Sequence, residues 1–398
     1  MARILLTDGE QRSTLAATRS LGRAGHHVLV AGRTERTLAA ASRYCRGRIV
    51  LPSTDRTPDA WTDAIGEAVT AHSVDILLPM TDRAATLVLA ARERMPDTVV
   101  PFPDRDIYDR ASDKRRLLEL AGSLGVPVPR QVVVDGPDAV AAGALSALGT
   151  PIVLKPWRSV VHDGARLVQL SVAIAAGPDE ALDHLRTLPP EAFPVLAQSH
   201  VSGPGLGVFV LADDGEIVAS FAHRRIREKP PTGGVSTYRE SVPVPPDLLG
   251  YARSLLGELR WTGVAMVEFK EESSTATPYL MEINGRFWGS LQLSIDAGVD
   301  FPAMLVALTL GNRPAPIDTY RLGVRSRWLL GDLDHLLWLW RAPTAKRRAV
   351  PGLPGPLGGL GRMLVPWRPG DRWEVLRPTD PYPFLREIRT WIRDSTGR

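Results

Sequence analysis

Within its first hundred residues the chain twice repeats one pattern: a short apolar run, a polar turn, then a stretch with helical spacing. ARILLTD (2–8) precedes QRSTLAATRSLGRAGH (11–26), which precedes HVLVAG (27–32). DILLPMTD (75–82) precedes RAATLVLAARER (83–94). Apolar runs this short, alternating with helical patterns, read as buried strands joined by crossover helices, with Gly25 as a stop signal. That order predicts an α/β unit with a mostly parallel sheet. Only Gly9 follows the first strand, so the glycine fingerprint of a dinucleotide site is missing and a nicotinamide cofactor is not expected. Open sheets of this kind bind ligands beyond the carboxyl ends of their strands. Asp8–Ser13 and Met80–Arg83 are therefore either the walls of a small-molecule crevice or ordinary helix caps.

The second half changes character. Ser112 or Asp113 can cap a helix that runs to about Leu124 and stops at Gly125. A helix is expected near 137–147 and another at 178–187. PIVLKP (151–156) and the segments 167–172 and 194–199 read as extended. GVFVLADDGEIVASFAHRRI (207–226) is a hairpin with Asp214-Gly215 at its turn. GVAMVEF (263–269) and YLMEIN (279–284) form a further strand pair. The predicted fold class is thus α/β plus α+β: a parallel α/β unit over 1–104, two α+β lobes over 105–192 and 193–314, and a helical or irregular extension over 315–398. Six of the ten tryptophans fall in the last 80 residues, and VPGLPGPLGGLGR reads as a linker. The final helix, PFLREIRTWIRD (383–394), carries Phe384, Leu385, Ile388, Trp391 and Ile392 as a stripe. A stripe like this either packs on its own protein, the expected outcome, or touches a membrane surface.

Composition excludes several classes. Lys and Arg number 48 against 44 Asp and Glu, a net charge of +4, and the basic clusters are scattered without interleaved aromatics. Nucleic acid is not an expected partner. Cys45 is the only cysteine, which rules out an internal disulfide and suits a reducing, cytoplasmic setting. MARILLTDGE lacks the form of a signal peptide. The longest mostly apolar run, AVAAGALSALGTPIVL, is broken by Gly149 and Pro151 and too short to span a bilayer. A G-x-S-x-G elbow, a P-loop and an H-E-x-x-H helix are all missing.

The chemistry concentrates at YLMEINGRFWGS (279–290). On a regular strand Tyr279, Met281 and Ile283 face a core, while Leu280, Glu282 and Asn284 share the other face. Glu268 in the preceding strand adds a third oxygen donor. Hard oxygen ligands without His or Cys suit Mg²⁺, which takes its remaining ligands from water and phosphate. Gly285 lets the chain leave the sheet, and Arg286 is placed to donate to a phosphate oxygen. The alternative is a solvated sheet face with surface ion pairs. Lysine is rare, at positions 114, 155, 229, 270 and 346, yet Lys114 starts a helix and Lys155 ends an apolar strand. A lysine in that setting needs a compensating charge, which a nucleotide's phosphates would supply, unless its amine reaches water. HRRIREKPPTGGVSTYRES (223–241) adds arginines and a Thr-Gly-Gly turn, either an anion site or a solvated loop.

In order, the Asp-Lys helix start with GVPVP, PIVLKP, Gln198-Ser199 with VSGPG, the DDG hairpin, HRRIRE with TGG, VEF and MEINGR resemble the ATP-grasp superfamily. The likeness is to its carboxylate–amine (or thiol) ligase branch, near carbamoyl-phosphate-synthase-type folds. It extends over about 105–310, and 1–104 matches the α/β domain that precedes such folds. The resemblance implies that ATP lies between the two lobes. Lys114 and Lys155 would then contact phosphates, and the strand at Gln198 the adenine. Glu268, Glu282 and Asn284 would hold Mg²⁺, with Arg286 and Arg225 at the phosphate or acyl phosphate. Two positions depart from the family pattern. Ser199 stands where an acidic residue is usual, and the loop PWRSVVHDG after Lys155 is poor in glycine. The activity implied is ATP- and Mg²⁺-dependent, ADP-forming ligation of a small carboxylic acid to an amine. The alternatives are delivery to a carrier-protein thiol, or a nucleotide-binding scaffold without turnover.

Overall fold

The computed structural model describes the chain except residues 55–56, 165, 232–233, 318, 345–352, 354, 365–370 and 397–398. Strands β1 (Arg3–Leu6), β2 (His27–Gly32), β3 (Cys45–Val50) and β4 (Ile76–Leu78) form a parallel sheet in the order β3-β2-β1-β4. Helices α1 (Arg12–Arg23), α2 (Pro58–Ala71) and α3 (Asp82–Ala90) make the crossovers. Leu5, Leu29 and Leu77 pack to one side of the sheet, while Ile4, Val28 and Leu78 pack to the other. Parallel sheets are covered on both faces, which is why these strands read as continuous apolar runs.

Helices α4 (Arg105–Ser112) and α5 (Lys114–Ser123) lead into a small antiparallel sheet. The Asp113 carboxylate caps α5, accepting from the Arg115 and Arg116 amides. The sheet holds β5 (Gln131–Val134), β6 (Ile152–Pro156), β9 (Ala173–Ala175) and β10 (Val195–Ser199) in the order β5-β10-β6-β9. Strands β7 (Val160–His162) and β8 (Leu167–Gln169) form a separate hairpin. Helices α6 (Ala142–Ser146) and α7 (Pro178–Thr187) cover the sheet over a core that includes Leu145, Leu154 and Leu185. The helix expected over 137–147 is thus shortened to its last turn and a half.

The large sheet has seven strands in the order β15-β14-β11-β12-β13-β16-β17. They are β11 (Gly205–Asp213), β12 (Glu216–Lys229), β13 (Val235–Val242), β14 (Gly263–Glu271), β15 (Pro278–Asn284), β16 (Arg325–Arg327) and β17 (Asp371–Trp373). All neighbours are antiparallel except β16 and β17. Asp214 takes a left-handed conformation, φ 49°, at the β11–β12 turn. Helix α8 (Pro246–Glu258) packs near β11 and β12. Helices α9 (Leu291–Ala297) and α10 (Phe301–Thr309) follow β15, and α11 (Leu329–Arg341) lies beside β12 and β13. Among the described residues no single helix is long and apolar enough to cross a membrane.

The segment after 315 gives the large sheet two short strands and then returns to the first sheet. Asp380, fully buried, accepts from Arg19 Nε at 2.8 Å and from Ser42 Oγ at 2.7 Å. Phe384 of the terminal helix (Tyr382–Thr396) packs against the apolar cluster that holds Ile4 and Leu15. Leu385 and Ile392, on the expected stripe, stay about half exposed at 49% each. Of the stretch expected as a linker, VPGLPGPLGGLGR (350–362), residues 350–352 and 354 fall outside the described residues, but its second half is helical instead, within a helix Pro356–Leu364. Thr232 and Gly233 of the Thr-Gly-Gly turn also lie outside the described residues.

Candidate active site

Strands β14 and β15 place Glu268 directly opposite Glu282. Two like charges across a strand pair are unfavourable unless something compensates them. Arg225 on β12 does so for Glu268, its NH2 donating to Oε1 at 2.9 Å, while NH1 donates to Glu228 at 3.1 Å. Lys114, at the start of α5, does so for Glu282, with Nζ 3.5 Å from Oε2. Lys114 also donates to Ser159 Oγ at 3.0 Å. The Asn284 amide donates to Glu282 at 3.0 Å, and its oxygen accepts from Arg286 at 3.2 Å. Lys114, Arg225, Glu268, Glu282, Asn284 and Arg286 are therefore one connected set.

A β-bulge changes the phase of β15. Register slips between Glu268 and Phe269, which face Glu282 and Leu280, so Met281 is the extra residue. Strict alternation placed Leu280 beside Glu282 and Met281 in the core. Instead Leu280 is fully buried with Ile283, and Met281 turns to the polar face. There its Sδ is the acceptor of Lys155 Nζ, at 3.4 Å. A thioether is a weak acceptor for an ammonium. Among the described residues no carboxylate lies within ion-pair distance of Lys155. Burial, aided by Lys114 and Lys270 and opposed by Glu282 and Glu268, pushes its ammonium down to about 8.

The charges around the two carboxylates differ in outcome. Burial, with repulsion from Glu282, raises the Glu268 carboxyl above its ordinary value despite Arg225. Burial also works to raise Glu282, but Lys114, the Asn284 amide, Lys155 and Arg286 together hold it below the ordinary value. Burial works to lower Arg286, and Asp82 outweighs it through an ion pair at 2.9 Å. Gly285 is required by close packing: a Cβ there would lie 2.5 Å from Trp261 Cη2 and 2.9 Å from Tyr108 Cε2. The donor set is two carboxylates and an amide. Among the described residues no group of three His, Cys, Asp or Glu side chains could hold a metal ion. Sparse, hard oxygen ligands beside unspent ammonium charge fit Mg²⁺ that brings phosphate oxygens with it. They do not fit a zinc or fully protein-caged calcium site.

Gln198 lies on β10, in register with Val153, and Leu196 is in register with Lys155. Side chains two apart on a strand share a face, so Gln198 faces the same side as Lys155. It is buried and donates to Gln131 Oε1 at 2.9 Å. Ser199 follows at the strand end, its amide donating to Arg130 O at 2.9 Å. Neither side chain joins the connected set around Glu282. Lys270, which sequence reading passed over, shares the half-exposed face of β14 with Glu268. Its position two residues after Glu268 was the available signal. In the loop after Lys155, Arg158 stacks on Trp157 at 4.6 Å and pairs with Asp109 at 3.0 Å.

Arg286 also opens onto a cavity of about 620 Å³ at the carboxyl ends of the first sheet. Both crevice segments line it, Asp8–Ser13 and Met80–Arg83, together with Gly289. The capping alternative also holds in part, since the Thr81 hydroxyl accepts from the Ala84 amide to cap α3. Asp8 has φ 52°, and burial raises its carboxyl despite hydrogen bonds from Thr7 and Thr81.

Residues 191–330 match the family model described as ATP-grasp in the biosynthetic pathway with Ter operon. The chain is 25% identical over 362 residues to the phosphoribosylamine–glycine ligase of Mycobacterium leprae (strain TN), covering 82% of this chain and 80% of that protein. Three solved structures share the fold at lower identity. The biotin carboxylase domain of Hydrogenobacter thermophilus 2-oxoglutarate carboxylase, solved with MgADP and bicarbonate, superposes with a TM-score of 0.64 at 14% identity, over 81% of this chain and 73% of that one. For N5-carboxyaminoimidazole ribonucleotide synthetase from Thermus thermophilus the values are 0.61, 18%, 80% and 81%. For L-amino acid ligase from Bacillus licheniformis they are 0.57, 14%, 77% and 73%.

Proposed function

We propose that this chain, which belongs to the ATP-grasp superfamily, is an ADP-forming ligase that activates a small carboxylic acid with ATP and joins it to an amine. The observation that carries the reading is the facing of Glu268 and Glu282 from one lobe by Lys114 and Lys155 from the other. A carboxylate is a poor electrophile. When one of its oxygens attacks the γ-phosphorus of ATP, ADP leaves and an acyl phosphate forms. The amine then attacks the acyl carbon, loses a proton and expels inorganic phosphate. Both displacements need positioning and charge neutralisation more than covalent help from the protein.

The residues divide that work. Glu268, Glu282 and Asn284 would hold Mg²⁺, which supplies Lewis-acid charge to the phosphate oxygens. Lys155, buried beside a thioether, would have its charge satisfied by a phosphate, and Lys114 reaches the Glu282 carboxylate from α5. Gln198, on the face shared with Lys155, and Ser199 at the strand end would meet the base and sugar. Arg286, tied to Asp82 and Asn284, stands between the polar face and the first-sheet cavity, where the acid substrate would lie. Arg225 holds the Glu268 carboxyl in place and opposes the burial that raises it. The domain division 1–104, 105–192, 193–314 and 315–398 is part of this proposal.

The test is a phosphate-release screen of carboxylic acids crossed with amines, run beside ADP·Mg²⁺ binding by calorimetry. Wild type should bind ADP·Mg²⁺ and release phosphate only with a matched pair. Glu282→Gln, with its fold verified by circular dichroism, should lose turnover by about a hundredfold to a thousandfold, as expected for loss of a transition-state charge contact. Full turnover in that variant would refute the site assignment.

A further inference from the structure

The first-sheet cavity continues into a second one that the terminal helix helps to build. The second cavity is about 680 Å³. Glu10, Gln11, Arg12, Arg33 and Val235 line both spaces, so the two meet at the start of α1. One wall is apolar and aromatic: Leu38 and Leu330 with Trp328 and Trp391. Each indole nitrogen is anchored, Trp328 Nε1 donating to Glu387 at 2.7 Å and Trp391 Nε1 to Asp334 at 2.8 Å. Both rings are thus held by their polar edges. Trp328 is also covered by Arg12, whose guanidinium carbon sits 3.8 Å from the ring centroid.

The charges of this cavity do not cancel. Arg12 is spent on Glu374 at 2.6 Å, and Lys229 is paired with Asp334. Arg33, Arg36 and Arg386 also line it, and among the described residues none of the three guanidinium groups has an ion-pair partner. A fixed aromatic wall beside unpaired guanidinium groups recognises a molecule with an apolar body and a carboxylate or phosphate.

We propose that this cavity binds the amine substrate of the ligase, and that this amine carries an apolar or aromatic body and an acidic group. The amine end lies toward Glu10–Arg12 and the acyl group in the first cavity. The body rests on Trp391 with Leu38 and Leu330, beside Trp328, whose ring is taken by Arg12 and Lys229, and the acidic group pairs with Arg33, Arg36 or Arg386. The word amine rests on the ligase reading above; the apolar and anionic features rest on the cavity alone. Residues from the terminal helix are then part of the substrate site.

Three probes separate these features: L-phenylalanine, phenethylamine, which lacks the carboxylate, and glycine, which lacks the body. Binding is read by saturation-transfer NMR titration on the full chain, with and without ADP·Mg²⁺. L-Phenylalanine should bind at least tenfold tighter than either of the others. The double variant Arg33→Gln/Arg386→Gln should erase the preference over phenethylamine, and Trp391→Ala the preference over glycine. Trp391→Phe, which keeps an aromatic wall, should retain it and guards against a folding artefact. Equal binding of the three probes, or preferences untouched by the variants, would overturn the proposal. Nucleotide affinity keeps the two readings apart. If wild type binds no ADP·Mg²⁺ but still ranks the probes as stated, the ligase reading fails and the cavity assignment stands; if nucleotide binds and the ranking is flat, the reverse holds.

Discussion

At the residue scale the clearest physical statement concerns Lys155. Its ammonium is buried, and in the absence of phosphate its acceptor is a sulfur. The group's folded value, about 8, lies below its ordinary 10.5. Between those two values the unfolded chain binds a proton that the folded chain does not. The group therefore destabilises the fold, fully below about 8 and not at all above 10.5. Lys155→Met should stabilise the free protein at pH 7 by up to about 3 kcal/mol, and the gain should shrink as pH rises toward 10.5. Urea unfolding at pH 7 and pH 10 checks this. The same variant should weaken ADP·Mg²⁺ binding by two orders of magnitude or more. A variant neither more stable at pH 7 nor weaker in binding would show that the ammonium has another partner.

At the scale of elements, β15 and the turn after it decide where the chemistry sits. Met281 is the extra residue of a bulge, which turns Leu280 into the core and leaves Glu282 facing Glu268. Gly285 then passes between Trp261 and Tyr108 with no room for a Cβ. Gly285→Ala should cost about 1–3 kcal/mol as an overpacking change, read as a drop in the urea midpoint. Gly289→Ala, where the nearest atom to a Cβ is Arg12 NH2 at 3.5 Å, should cost far less. Equal costs would mean that the aromatic pair yields. Much of this region was legible: YLMEIN reads as a strand, a glycine ends it, and the carboxylates and rare lysines stand out by type. The bulge was not legible, because period-two reasoning has no means to insert a residue. Nor were β16 and β17, each three residues long and without apolar alternation. β16 owes its pairing to the edge that β13 offers, and β17 to the edge that β16 then presents.

At the scale of the whole molecule, the segment after 370 ties the large sheet to the first sheet through buried charge. Glu374 pairs with Arg12 and Arg239, and Asp380 with Arg19 and the Ser42 hydroxyl. Removing one partner of a buried ion pair leaves the other uncompensated. Asp380→Ala should therefore cost about 3–5 kcal/mol, seen as a large fall in melting temperature, whereas a cost below about 1 kcal/mol would place Arg19 in contact with water. The Arg19–Asp380 contact spans 361 residues, and no local pattern around either residue marks them as partners. The parallel sheet could be read from repeated short-range patterns; its clasp to the far end of the chain could not.

That clasp bears on how the protein is made. During synthesis Arg12, Arg19 and Arg239 emerge long before Glu374 and Asp380, so a nascent chain must keep three guanidinium groups hydrated until residues 374–380 leave the ribosome. A transcript cut short of residue 371 would release a polypeptide with all three cations stranded, a ready substrate for quality-control proteases.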